Sequence, residues 1–448
     1  QIGDYKTAGE MFSRTEPSEP GKEDMNRLLD GLYESCVNMI ADARHKPADE
    51  VKRLIDAGPY PAERALEAGL IDSVAPQDEF LEGLKREYGD SIPIDNDYER
   101  VGPPTIDMQR PLKSQWSVAR YFLRVHKWSW KDSIGLIYLE GTIVPGSGGP
   151  GAAWSGDIRD ALKTAAEDDS IKAVVLRVDS PGGSVTASEV ILRAAQALQK
   201  KKPLVVSMGS TAASGGYYVS CGANAIFADE TTLTGSIGVI GGKLVSTGLW
   251  NKLGVNWFAY QRGANADLYS GAHPFDERQR ADVTRYMLDA YGTFKEHVTS
   301  GRGTKLAKGL DELAGGRVFT GKQALDLGLV DKIGGLKAAI AYAAELVSLK
   351  DYQVQVIPQP KDAAEMLIDT FFGSPHRPSD LDLDARAGRP NLANLQTLAG
   401  PPEVAAAAHL LEGLDARHVR IALGLLRRIQ LLSQEGIAMI MPQVFAIE

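Results

Sequence analysis

Cysteine is scarce in this sequence. Its 448 residues include only Cys36 and Cys221, which excludes a disulfide framework and a cysteine-rich metal site. No motif asks for a metal or another cofactor. Long hydrophobic runs are missing too, since no stretch reaches the ~18 to 20 apolar residues of a membrane helix. The nearest, from Val419 to Phe445, is broken by Arg427, Arg428 and Glu435. Basic clusters are also lacking. Lys and Arg number 49 against 58 acidic residues, for a net charge of -9, so no nucleic-acid partner is expected. What remains is a chain with 44% hydrophobic and 24% charged residues, enough for two or three globular domains with their own cores. It opens on Gln1 rather than Met, which reads as a processed product or a piece of a longer chain.

An internal repeat organises the chain. Tyr60 to Val74 reads YPAERALEAGLIDSV, and Phe319 to Ile333 reads FTGKQALDLGLVDKI. Ala65, Leu66, Gly69, Leu70 and Asp72 recur as Ala324, Leu325, Gly328, Leu329 and Asp331, a shift of 259. Leu29 and Asp30 match Leu288 and Asp289 at the same shift. Further upstream the shift becomes 257, which sets Lys6 opposite Gly263. The second copy starts well before its matched part, at a strand expected over Ile134–Val144. The first copy is therefore expected to lack its front half.

The layout that follows is α/β. Residues 1–110 are the C-terminal part of the first repeat, mainly helical. Residues 111–132 form a linker mixing aromatic and basic side chains, read as a domain or subunit contact or a membrane-interface segment. Residues 133–349 are a complete second repeat, in which runs such as AVVLRVD, PLVVSMG and AIFAD alternate with helical segments. Residues 350–448 form a mostly helical extension with a Pro/Asp/Arg-rich break.

Three turns in the complete repeat could carry chemistry. Asp179–Ser184 (DSPGGS) joins a strand to a helix expected over Thr186–Gln199. Paired glycines there either aim amides at developing negative charge or make an ordinary strand-to-helix turn. Thr211–Tyr218 (TAASGGYY) sets Ser214 among small residues. That suits a nucleophile beside the Gly215 amide, and equally suits close packing of helix on strand. Leu233–Val239 (LTGSIGV) carries Ser236, which either hydrogen-bonds a catalytic group or satisfies the turn.

In this order and spacing the three turns resemble the signal peptide peptidase A family, also called protease IV, within the Clp protease/crotonase superfold. The resemblance covers residues 1 to about 345. It implies an α/β fold of tandem Clp/crotonase-like repeats, here with the first incomplete and a helical tail added. It implies Ser214 as nucleophile, Gly183 and Gly215 as oxyanion-hole amides, Lys6 as general base and Ser236 as the group that orients the lysine. It further implies degradation of cleaved signal peptides and similar hydrophobic peptides through an acyl-enzyme. The setting implied is the bacterial inner membrane, with the catalytic domain facing the periplasm, an anchor outside this chain, and a homo-oligomer that is tetrameric in the long form.

A serine hydroxyl needs a base. Histidine is the usual one, but none lies between His126 and His273, and the region after Ser214 where Clp peptidases place theirs is TTLTGSIGVIG. A lysine serves only when neutral, so burial must lower it from about 10.4. Single-repeat members of the family carry that lysine in the same repeat as the serine. Here the equivalent position is Gly263, and Lys6 of the first copy takes its place. The apolar residues near the turns (Ala212, Ala213, Tyr217, Tyr218, Ile237, Val239, Ile240) suggest a groove for small or hydrophobic peptide side chains. Two other readings compete: acyl-CoA chemistry on the crotonase fold, and a non-catalytic assembly protein that has kept the fold.

Overall fold

The computed structural model describes residues 1–89, 131–148, 151–252, 265–358 and 437–440. These fall into two units. One holds residues 1–31 with the described residues from 131 onward; the other holds residues 32–89.

The first unit begins with an N-terminal segment of turns and a 3-10 helix (Thr7–Gly9), then a short helix, α1 (Glu10–Ser13), followed by α2 (Glu19–Arg44), which ends in the second unit. That second unit is helical, with α3 (Ala48–Asp56), α4 (Ala62–Glu67) and α5 (Gln77–Tyr88). It buries Val37 and Val51.

The body of the first unit is a mostly parallel sheet. Its long strands are β1 (Ser133–Glu140), β4 (Ile171–Ser180) and β6 (Leu204–Ala213). They are near-continuous apolar runs, as expected for strands covered on both faces. Side chains alternate between the faces. Val174, Leu176 and Val178 of β4 point into the larger core, while Ala173 and Val175 point into the smaller one. Helices α6 (Ser155–Glu167) and α7 (Val185–Gln199) cover the first face, and α13 (Leu336–Leu346) the second.

The order across the sheet is β10-β8-β6-β4-β1-β12, with β7 (Ala225–Ala228) on β6 and β11 (Lys332–Ile333) on β7. Here β8 is Leu233–Gly235, β10 Val318–Thr320 and β12 Gln353–Val356. All pairings are parallel except β10 with β8. A second, small sheet orders β3-β2-β5-β13-β9. Its members are β2 (Ile143–Val144), β3 (Ala153–Trp154), β5 (Gly182–Ser184), β9 (Ile240–Gly241) and β13 (Ile437–Ile440).

The sequence repeat has a local structural counterpart. Helix α4 and helix α12 (Gly321–Asp326) each run six residues. Both turns close on a left-handed glycine two residues later, Gly69 at φ 67° and Gly328 at φ 75°. The Leu70 amide then donates to Ala65 O, as Leu329 does to Ala324 O. Upstream, α2 and α10 (Glu277–Arg302) are both 26 residues long. The expected strand over Ile134–Val144 is split in two at Gly141, which stands at φ 84°. The linker (save Lys131 and Asp132) and Gly263 lie outside the described residues. So does most of the helical extension; its two described pieces, β12 and β13, are strands.

Candidate active site

Strand β6 ends at Ala213 and helix α8 (Gly215–Ser220) begins two residues later. Ser214 makes this corner alone, at φ 55° and ψ -115°, a region that costs a non-glycine residue of order 1–3 kcal/mol. The turn holds it there. The Ser214 amide donates to Gly235 O at 2.8 Å, and its carbonyl accepts from Tyr218 N at 2.8 Å. A side chain at Gly215 would strike Ser188 Oγ at 2.8 Å, and one at Gly216 would strike Ser180 O at 2.7 Å. The serine is thus followed by two positions too crowded for anything but glycine.

Lys6 arrives from the N-terminal segment, which the body grips through its backbone. Ile2 forms an antiparallel bridge with Val239, and Tyr5 N donates to Gly315 O at 3.0 Å. The Arg317 guanidinium lies 3.8 Å from the centre of the Tyr5 ring. Gly316, at φ 92°, passes so close that a Cβ there would stand 2.6 Å from the Lys6 Cα. Gly316 N in turn donates to Ile237 O, and Ser236 N donates to Arg317 O. These ties set Lys6 beside the serine turns within one chain.

The Lys6 amine then has three partners. It lies 2.8 Å from Ser214 Oγ, 2.8 Å from Ser236 Oγ and 2.9 Å from the Ser236 carbonyl oxygen. Lys6, Ser214 and Ser236 are all fully buried, and none of the three partner atoms is acidic. Burial holds the Lys6 amine well below the ordinary lysine range. An amine there is neutral at lower pH than any solvated lysine, because water no longer stabilises its charge. Ser236 also stands at positive φ, 53°, which turns both its hydroxyl and its carbonyl toward the same amine.

The two expected amides converge as well. A Cβ on Gly215 would sit 3.1 Å from Gly183 N. A Cβ on Gly182 would sit 2.6 Å from Gly215 N and 2.0 Å from the carbonyl oxygen of Met439. The glycines of the DSPGGS turn therefore keep clear a small space bordered by amides.

The described histidines take other partners. His273 meets Asp267, His297 meets Glu189, and His45 is exposed. Cys221, buried at the end of α8, has its thiol pushed up to about 12 by burial, which disfavours the thiolate. Among the described residues, no group of three or more His, Cys, Asp or Glu could hold a metal ion. No described helix is long and apolar enough to cross a membrane.

Of the apolar residues expected to line a groove, Tyr217 and Tyr218 instead turn into the core. Their hydroxyls donate to Leu329 O and Glu189. Ile240 does stand at a strand edge, opposite Ala438. The sequence reading missed Gly315, Gly316 and Arg317, whose Gly-Gly pair was the available signal, and it missed β13.

A mostly parallel α/β body with a strained serine corner and a buried lysine defines a Clp-like fold carrying a Ser–Lys pair. Residues 129–231 match the Clp protease family, and residues 1–89 and 196–350 match peptidase family S49. The chain belongs to peptidase family S49. It is 33% identical over 78% of its length to the serine protease SPPA, chloroplastic, of Arabidopsis thaliana, covering 50% of that protein. It is 30% identical over 84% of its length to protease 4 of Salmonella typhi, covering 59% of it. For protease 4 of Haemophilus influenzae the figures are 32%, 78% and 56%. The chain thus spans little more than half the length of these relatives.

Proposed function

We propose that this chain is a serine endopeptidase that works through a Ser214–Lys6 dyad and cuts hydrophobic peptides, released signal peptides among them, by way of an acyl-enzyme. The observation that carries this reading is the 2.8 Å contact between the Lys6 amine and the Ser214 hydroxyl in a fully buried setting. The neutral amine takes the hydroxyl proton as Ser214 Oγ attacks the peptide carbonyl. Ser236 receives the two N–H groups that the amine does not need for this. Charge developing on the carbonyl oxygen is met by the Gly183 and Gly215 amides. The lysinium then protonates the leaving amine, and a water repeats the cycle on the ester.

The substrate class rests on the sequence resemblance and on a relative from Enterococcus faecium named as a putative signal peptide peptidase, 41% identical over 39% of this chain. The acyl-CoA alternative asks for carboxylates at the reacting centre. The groups that meet Ser214 here are an amine and amides. An oligomer of four chains anchored at the inner membrane, active on the periplasmic side, belongs to the same proposal; light scattering of the detergent-extracted full-length protein tests the number.

The dyad itself is tested with a fluorophosphonate and an apolar quenched-fluorescence peptide. Ser214→Ala should lose labelling and at least about 10³-fold in kcat/KM while remaining folded. Hydrolysis at the parent rate in that variant would remove Ser214 from the mechanism.

A further inference from the structure

We infer that residues 437–440 occupy the peptide groove of this chain as a built-in pseudosubstrate strand, and that they hold Ser214 out of reach of other peptides until they leave. The inference rests on the Ser–Lys reading proposed above.

The first support is topology. Strand β13 comes from the far end of the sequence, yet it lies inside the small sheet, antiparallel to β5 on one side and β9 on the other. Among the described residues, strand β9 has no other sheet partner, and β5 has no other neighbour on that side. Without β13 the body would present two facing edges with unpaired amides and carbonyls. That is the slot into which an extended peptide adds as a strand.

The second support is register. Met439 stands opposite Gly183, and Ala438 stands between Ser184 and Ile240. The Met439 carbonyl oxygen and the Gly215 amide border the same small space, the one a Gly182 side chain would fill. A scissile carbonyl has to bring its oxygen to that place, so Met439 holds the position of the residue before the cut bond.

The third support is burial. The Met439 side chain is fully buried in the main core. Ser214 and Lys6 are fully buried with it, and a nucleophile enclosed in this way meets external substrate only while the strand is away. Gly436 to Met441 (GIAMIM) carries no charge, as suits an apolar slot. Methionine is flexible and unbranched, so the buried position should favour side chains of that kind. As part of the same chain, the strand also competes as an intramolecular ligand, whatever the protein concentration. External peptides of lower affinity would be outcompeted until the tail is displaced.

The test uses the full-length protein and two variants, Ala438→Pro and Met439→Lys. Proline leaves the groove side chains in place but cannot sit in a central strand; lysine opposes burial. Two readouts are taken: hydrogen exchange at the amides of 182–184, and the rate at which a fluorophosphonate labels Ser214. Both variants should lose protection at 182–184 and label about tenfold faster or more, as a groove freed from a mostly bound occupant requires. Added peptide spanning Glu435–Pro442 should slow them again. Protection lost without faster labelling would make β13 a structural strand and overturn the block. Protection unchanged in both variants would mean that 437–440 does not sit there. If exchange changes as expected but Ser214 labels in none of the proteins, the block fails together with the Ser–Lys reading, while the seating of the strand stands.

Discussion

Ser214 and Ser236 both stand at positive φ, and the same amine touches both. At Ser214 the strain keeps the hydroxyl clear of helix α8, which its own backbone starts. At Ser236 it lets one residue offer the amine both a hydroxyl and a carbonyl. Ser236→Ala removes one of these and leaves the other. Lys6 would then be held less firmly, and kcat should fall about 10- to 100-fold with KM little changed. Steady-state kinetics on a peptide substrate reads this, and the pH profile should move to the acid side, because an acceptor that favours the charged amine is gone. The turns around Ser214, Gly183 and Gly215 were visible in the sequence, but each alone fits ordinary packing as well, and only their order and the family resemblance gave these residues roles. Lys6 was legible only through the family resemblance and the repeat, since nothing in GDYKTAGEMF marks a buried amine.

At the level of elements, the site depends on how the N-terminal segment is clamped. The clamp consists of backbone contacts from 237–239 and 315–316, with Arg317 over Tyr5. Gly316→Ala should break it. The positive φ alone costs about 1 to 3 kcal/mol, and the added methyl meets the Lys6 backbone. The variant should melt at lower temperature and lose most activity, whereas Gly248→Ala, where an added Cβ meets nothing within 4 Å, should do neither. Calorimetry and kinetics on the pair check this. The clamp escaped the sequence reading because backbone hydrogen bonds between distant segments leave no side-chain signature. The paired repeats were legible, since both copies keep the ALxxGL turn that needs a left-handed glycine. Strand β13 was not. Four apolar residues after an Ala/Leu-rich stretch fit helix or strand alike, and only the open edges of β5 and β9 choose between them.

Across the whole molecule, an enclosed lysine trades stability for chemistry. Its native pKa is depressed by burial. Between that native value and the ordinary 10.5, the unfolded chain holds a proton that the folded chain does not, so stability climbs with pH through that window. Lys6→Met fills the same space without an ionisable group. It should raise Tm at pH 7 while abolishing activity, and its advantage over the parent should shrink as pH approaches 10.5. An advantage that is constant with pH would mean that Lys6 titrates as a solvated lysine. The most direct measurement of the central claim is the rate of Ser214 labelling by a fluorophosphonate, followed from pH 5 to 10 in the parent and in Lys6→Met. The parent rate should rise with loss of a single proton and level off below the ordinary lysine value, and the variant should show neither the rise nor the rate. A parent rate that is flat with pH, or a variant that labels as fast as the parent, would contradict an uncharged Lys6 as the base.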